Sequence, residues 1–117
     1  MSRPTTDERT ARGRAGEDAA LGVYERRGFA LVARNWRCHL GELDLVIVRR
    51  DLLVFCEVKT RSGPACGGGY EAVTWSKRRR IRNLADAYLE RSGFEQARVR
   101  FDVASVWLGA RGADVEI

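Results

Sequence analysis

A chain of 117 residues fits a single domain, long enough to bury a core between a sheet and helices. Its 44% hydrophobic and 32% charged content is that of an ordinary soluble globular protein. The longest apolar runs cannot span a bilayer, and the opening Met1-Ser-Arg-Pro-Thr-Thr lacks the apolar segment of a secretory signal. A net charge of +5, carried by arginine at every basic position except Lys59 and Lys77, makes an anionic partner the expectation, since arginine forks match phosphate oxygens. Cys38, Cys56 and Cys66 are odd in number and have no metal-ligand spacing, so they read as reduced thiols in a cytoplasmic protein, Cys56 in the core.

Residues 1–6 read as a flexible tail and 7–117 as the domain. From Asp7 to Arg27 the pattern is helical, with acids in the first turn and Gly28 where a terminating glycine belongs. Glu17, Ala20, Leu21 and Tyr24 share one face, so Glu17 borders the side that packs on the sheet. Phe29 to Arg37 reads as a first strand.

Next comes the most informative stretch. Glu42 to Val48 and Leu52 to Thr60 are β-branched and aliphatic runs flanking Arg50-Asp51, the pattern of a hairpin. With Arg50-Asp51 as a two-residue turn, Asp44 faces Glu57 and Glu42 faces Lys59. Alternation along the strands then points all four to one face. Leu43, Leu45, Ile47, Leu52, Val54, Cys56 and Val58 form the other face. A sheet apolar on both sides must be covered on both sides, which predicts an α/β fold with helices flanking it. Two carboxylates side by side in an apolar sheet repel and lose solvation, and a divalent cation is the usual compensator. Oxygen ligands suit Mg²⁺ or Mn²⁺. Glu17 is either a further ligand or a helix-edge acid.

Ser62 to Gly69 reads as a mobile flap near this site rather than a phosphate cradle. A second amphipathic helix runs from Thr74 to Arg91 with Ile81, Leu84, Ala85, Tyr88 and Leu89 as its stripe and Gly93 as terminator. Its first turns carry Lys77, Arg78, Arg79, Arg80 and Arg82, where the helix dipole disfavours cations by roughly 0.3–1 kcal/mol each. Folding does not ask for that cluster, whereas phosphate binding rewards it. Inward-pointing Ile81 keeps the five cations from facing one ligand together. Arg61, two residues past Lys59, either holds a phosphate or balances Glu57. Val99 to Leu108 is the last long strand, and Gly109 to Ile117 adds a short edge strand. Asp102, inside the Val99–Leu108 strand, reads as an ion-pair partner of Arg98, Arg100 or a helix arginine. His39 reads as a surface loop residue, and Trp36, Trp75 and Trp107 as core.

Gly16-Glu-Asp-Ala-Ala, Arg34-Asn-Trp-Arg, Gly41-Glu-Leu-Asp-Leu, Val54-Phe-Cys-Glu-Val-Lys-Thr-Arg61, Ala72-Val-Thr with Lys77, and Arg100-Phe-Asp-Val occur in that order. Together they make the chain resemble the YraN-like family of small bacterial proteins from Gly13 to Val106. That family is grouped by similarity with the restriction-endonuclease-like, PD-(D/E)XK, superfamily and especially with archaeal Holliday junction resolvases. The resemblance implies a restriction-endonuclease-like core, a mixed β-sheet flanked by helices. It implies acidic metal-site positions at Glu17, Asp44 and Glu57, and Lys59 as the lysine that orients the attacking water or stabilises phosphate charge. Leu43 stands where the superfamily's name places proline. The expected activity is endonucleolytic, metal-assisted phosphodiester hydrolysis on DNA, with branched or junction structures in view and Asp44, Glu57 and Lys59 as catalytic residues. A homodimer would suit a four-way junction. The alternatives are a non-catalytic nucleic-acid-binding domain that keeps the nuclease fold, and a protein-interaction adaptor.

Overall fold

The computed structural model describes residues 6–61, 75–93 and 97–117. The elements run α1 (Thr6–Arg26), β1 (Ala30–Cys38), β2 (Gly41–Arg49), β3 (Leu52–Arg61), α2 (Trp75–Ser92), β4 (Arg98–Gly109) and β5 (Gly112–Glu116). They form one five-stranded sheet in the order β1-β2-β3-β4-β5. Every neighbouring pair is antiparallel except β3 and β4, which run parallel. The mixed sheet between two helices is the expected α/β class. The parallel pair follows from the helix inserted between β3 and β4, because parallel neighbours need a crossover whereas the others are joined by turns.

Glycines end both helices where the sequence places them. Gly28 (φ 87°) and Gly93 (φ 80°) take the left-handed conformation that a side chain resists. The β2–β3 hairpin turns on Arg50-Asp51, with Arg50 itself left-handed (φ 55°). Its ladder runs from Arg49↔Leu52 to Leu45↔Cys56, in the register expected from a two-residue turn. Asp51 then clamps the start of β4. Its carboxylate accepts two bonds from the Arg98 guanidinium (2.9 and 2.8 Å), and its carbonyl accepts the Arg98 N–H at 2.8 Å.

Each face of the sheet has its own core. On the α1 side, Ala20 and Tyr24 of the helix pack with Phe29, Leu45, Ile47, Val54, Cys56, Ala104 and Val106. On the α2 side, Leu84, Ala85 and Tyr88 of the helix pack with Leu43, Val46, Leu53 and Phe55. Tyr88 takes Trp36 and Phe55 edge-on at ring separations of 5.3 and 5.8 Å. Leu43 is a correction, since alternation predicts it beside Leu45 and Ile47 and the fold puts it on the opposite side. The register is the same on both sides of Asp44, but the pair it would make with Asn35 is missing, and Asn35 adopts a left-handed φ of 54° between the pairs Arg34↔Leu45 and Trp36↔Leu43. Residues on either side of this irregularity therefore lose the strict period of two.

Asp102 follows the ion-pair expectation. Arg100 grips it through two bonds of 3.0 Å, and the buried Tyr24 hydroxyl donates to it at 2.6 Å. Burial first, then proximity to Cys56 and Asp102, pushes the Tyr24 hydroxyl far above its ordinary range. Burial likewise lifts the Cys56 thiol to about 12, so it is an inert core thiol. Among the described residues no helix is long and apolar enough to cross a membrane. The glycine-rich flap expected after Lys59, the Ala72-Val-Thr stretch, Cys66 and the first five residues lie outside the described residues.

Candidate metal centre and basic cleft

Beyond Leu45↔Cys56 the ladder between β2 and β3 gives out, and Asp44 is the next residue. Its carboxylate turns toward β3 and accepts the Val58 N–H at 2.8 Å, taking the place of a backbone partner. This bond fixes the side chain at the fork where the two strands part. Glu42 follows on the same strand, and Glu17 arrives from α1. One carboxylate oxygen from each of Glu17, Glu42 and Asp44 lies within 4.8 Å of the others.

The approach of α1 depends on Gly16. That residue is buried against β3, and a Cβ built on it would run into the Thr60 hydroxyl. A glycine here lets the helix close onto the strand, and the next residue along the helix is Glu17.

The run Arg34-Asn-Trp-Arg supplies the outer supports. Arg34 donates to Glu17 (3.1 Å), to Asp18 (2.7 Å) and to the Arg14 carbonyl (3.0 Å), tying β1 to α1. Asn35 adds a second donor to Glu17 at 3.2 Å, its left-handed backbone carrying the side chain that way. Arg37 donates to Glu42 at 2.9 Å. Each outer acid thus has one oxygen held by an arginine and the cluster on its other side, an arrangement that orients ligands. Nothing in the composition or periodicity of β1 marks these residues. Only their place in the register, opposite Glu42 and Leu45, brings them here.

The charge in the cluster is incompletely balanced. Asp44 is raised from 3.8 to about 6, first by burial and then by the fields of Glu17, Glu42 and Glu57, with the Val58 bond opposing. Three hard carboxylate oxygens in one place form a donor set that suits Mg²⁺ or Mn²⁺. Arg34 and Arg37 each hold one oxygen of an outer acid, and a cation would draw on the carboxylate oxygens that converge.

Glu57 and Lys59 stand one step away. Lys59 Nζ lies 3.1 Å from Glu57 Oε1, both partly exposed. Sequence symmetry pairs Asp44 with Glu57 and Glu42 with Lys59. In the fold Asp44 instead joins Glu17 and Glu42, and Glu57 engages its own neighbour two residues on. The cause is the same fork: the ladder ends at Leu45↔Cys56, so the register no longer fixes which side chains pair beyond it. Glu57 remains close enough to act on Asp44 electrostatically. Arg61 continues β3 on the Lys59 side, where it donates to Ser105 Oγ at 3.3 Å.

A cleft of about 400 Å³ opens on the α2 face and joins this carboxylate edge to the basic helix. Glu42, Asp44 and Glu57 line it from the sheet, and Arg78, Arg80 and Arg82 line it from α2. Ile81 sits among these arginines with its side chain half-buried, so the helix divides its cations. Arg79 belongs to another hollow with Leu40 and Asn83, and Lys77 is absent from the lining of the cleft. Among the described residues Arg78, Arg80 and Arg82 have no carboxylate partner.

The geometry defines a small α/β protein with an acidic cluster at a fork in its sheet and an arginine-lined cleft beside it. The chain belongs to the uncharacterised protein family UPF0102, whose model matches residues 16–106. A UPF0102 protein of Rhodococcus jostii is 50% identical over 99 residues, covering 85% of this chain and 84% of its own length. One from Parafrankia is 48% identical over 101 residues, covering 86% of each. The likeness reaches further in Moorella thermoacetica, at 42% over 114 residues, covering 96% of this chain and 95% of the relative. The matched span contains Glu17, Glu42, Asp44, Glu57, Lys59 and the basic helix.

Proposed function

We propose that this chain is a Mg²⁺- or Mn²⁺-dependent nuclease of the restriction-endonuclease-like kind, hydrolysing phosphodiesters in DNA. The observation that carries the reading is the convergence of Glu17, Glu42 and Asp44 within 4.8 Å beside a cleft whose other wall is arginine. The three acids would hold the metal, with Glu57 at its margin. A divalent ion supplies phosphodiester hydrolysis with stabilisation of developing charge on phosphoryl oxygens. Arg78, Arg80 and Arg82 neutralise flanking phosphates, so affinity falls steeply as salt rises. Arg61 adds its remaining guanidinium N–H groups at the end of β3. Lys59, paired with the cleft-lining Glu57, can donate to a phosphate oxygen or orient water once Glu57 turns away from it.

The test is incubation of labelled duplex, splayed and four-way-junction DNA with protein and Mg²⁺, Mn²⁺ or EDTA. Wild type is expected to give metal-dependent products, while Asp44→Ala and Lys59→Ala bind the same DNA without cutting it. Cleavage by Asp44→Ala at the wild-type rate would rule the reading out.

One observation favours a second reading. The Lys59 ammonium is satisfied by Glu57 rather than aimed at the acidic cluster. A nucleic-acid-binding domain that keeps the fold without cutting needs nothing more from that lysine. It would show salt-sensitive binding, no metal-dependent product and indifference to Lys59→Ala.

A further inference from the structure

Phe101 has no role in the site described so far, yet it is the most exposed large apolar side chain among the described residues, at 44%. Its strand, β4, is covered by α1 on one face. On the other, α2 packs against β2, and Phe101 is left at the floor of the arginine-lined cleft. One side of its ring stacks on the buried Phe55 at a centroid separation of 5.7 Å and an interplanar angle of 24°. The stack is therefore anchored in the core and held in orientation. Val99, two residues before it, is also exposed, at 38%. An aromatic left open in a monomer's cleft invites a flat apolar partner, and the charges around it say which kind.

We infer that the cleft takes an unpaired nucleotide, its base stacked on Phe101 and its phosphates held by Arg78, Arg80 and Arg82. The occupant follows from the combination. A planar group continues a preformed aromatic stack, while three arginines with no carboxylate partner among the described residues attract an anion attached to it. A volume of about 400 Å³ is adequate for one nucleotide but not for a duplex. A base can enter only where it is free of its complement, so the substrate class is DNA with a single-stranded element at the site of action. This rests on the nuclease reading for its choice of polymer and names the part of the substrate that the site selects.

The experiment is fluorescence anisotropy in EDTA at low salt, using a fully paired duplex and a duplex of equal length carrying a short unpaired arm. Wild type is expected to prefer the armed duplex by about 5- to 150-fold, the range that one base–aromatic stack supplies. Phe101→Leu, which keeps the apolar bulk, should bring that ratio close to one, and Phe101→Trp should preserve it. The same proteins are assayed in parallel for Mg²⁺-dependent cleavage. A preference unchanged in Phe101→Leu overturns the inference and leaves the nuclease reading untouched. Loss of the preference in Phe101→Leu, with no cleavage by any protein, supports the inference and removes the catalytic reading. Absence of binding to either DNA by folded wild type removes both. A Phe101→Leu protein that changes from dimer to monomer in sedimentation without any change in the ratio would mean that a second copy covers this face, and the inference falls.

Discussion

Replacing Asp44 by Asn should make the metal-free protein more stable, although it removes the central member of the acidic cluster. The acid is raised from 3.8 to about 6 by burial and by Glu17, Glu42 and Glu57. At about 1.4 kcal/mol per pKa unit, carrying the charge at neutral pH costs the fold at most about 3 kcal/mol. Asp44 is half-buried and solvent screens part of this, which leaves about 1–2 kcal/mol. Asparagine keeps an oxygen for the Val58 N–H, and its amide can donate to the neighbouring carboxylates instead of repelling them. The direction with pH follows from the raised value. Between about pH 4 and 6 the folded state holds a proton that the unfolded state has lost, so wild-type stability falls as pH rises through that window and levels off above it. The advantage of the variant should thus be small near pH 4 and full above about pH 7.

Thermal melting in EDTA across that range is the assay. For a domain of this size, about 1–2 kcal/mol corresponds to a rise of roughly 3–12 °C at neutral pH. Addition of Mg²⁺ should reverse the order. Binding at a hundred times Kd stabilises wild type by about 2.7 kcal/mol, whereas the asparagine variant should respond weakly. A variant less stable than wild type in EDTA at neutral pH would refute the repulsion argument. An equal response of both proteins to the ion would refute the metal assignment.

Gly16→Ala should destabilise by about 1–3 kcal/mol in urea denaturation, because a Cβ there meets Thr60 and α1 must move. The gain of about 1 kcal/mol in helix propensity opposes it, so an unchanged midpoint would mean that the helix shifts freely. Arg34→Lys should weaken Mn²⁺ binding about 10- to 100-fold by calorimetry, since one ammonium cannot hold Glu17, Asp18 and the Arg14 carbonyl together. Wild-type affinity in that variant would contradict the positioning role. Tyr24→Phe should cost about 1–3 kcal/mol by leaving Asp102 with Arg100 alone, without altering Mn²⁺ affinity. A loss of metal binding there would show that the Tyr24–Asp102 contact is coupled to the acidic cluster.

Much of the fold is legible in the residues because local signals agree with one another. Gly28 and Gly93 end helices, Arg50-Asp51 turns a hairpin in the expected register, and Ile81, Leu84, Ala85 and Tyr88 mark the buried stripe of α2. The acids of the candidate site were visible too, but not their grouping. A period-two argument assumes that pairing continues, so it joins Asp44 to Glu57. The fold ends the ladder at Leu45↔Cys56 and sends Asp44 to Glu17 and Glu42. The same argument makes Glu42 a neighbour of Lys59, not a member of the cluster. The supports of Glu17 and Glu42 were out of reach for a related reason. Arg34, Asn35 and Arg37 lie on another strand, and their partners depend on a left-handed Asn35 that no spacing rule announces. Phe101 carries the pattern of a core residue, so its sequence gives no sign of exposure. Its exposure results from how little of the sheet α2 covers.

The break in the sheet at Asp44 has a structural logic of its own. Strands that part leave backbone N–H groups without partners, and a buried donor left so costs about 1–3 kcal/mol. Asp44 satisfies one such donor at Val58, so the fork is stable because an acid stands in it. The same parting clears the space through which Glu17 can reach from α1 on one side and the arginines of α2 can approach on the other. An uninterrupted hairpin would place Asp44 within the ladder and close that passage. Charge repulsion and strand separation are thus a single feature, and a cation would relieve the first without undoing the second. That distinguishes this cluster from surface acids, which gather without altering the backbone. Here a pair is missing from the ladder where the carboxylates meet, while β3 keeps an unbroken parallel register with β4 alongside. Departures from regularity that are local and compensated are where function is to be sought.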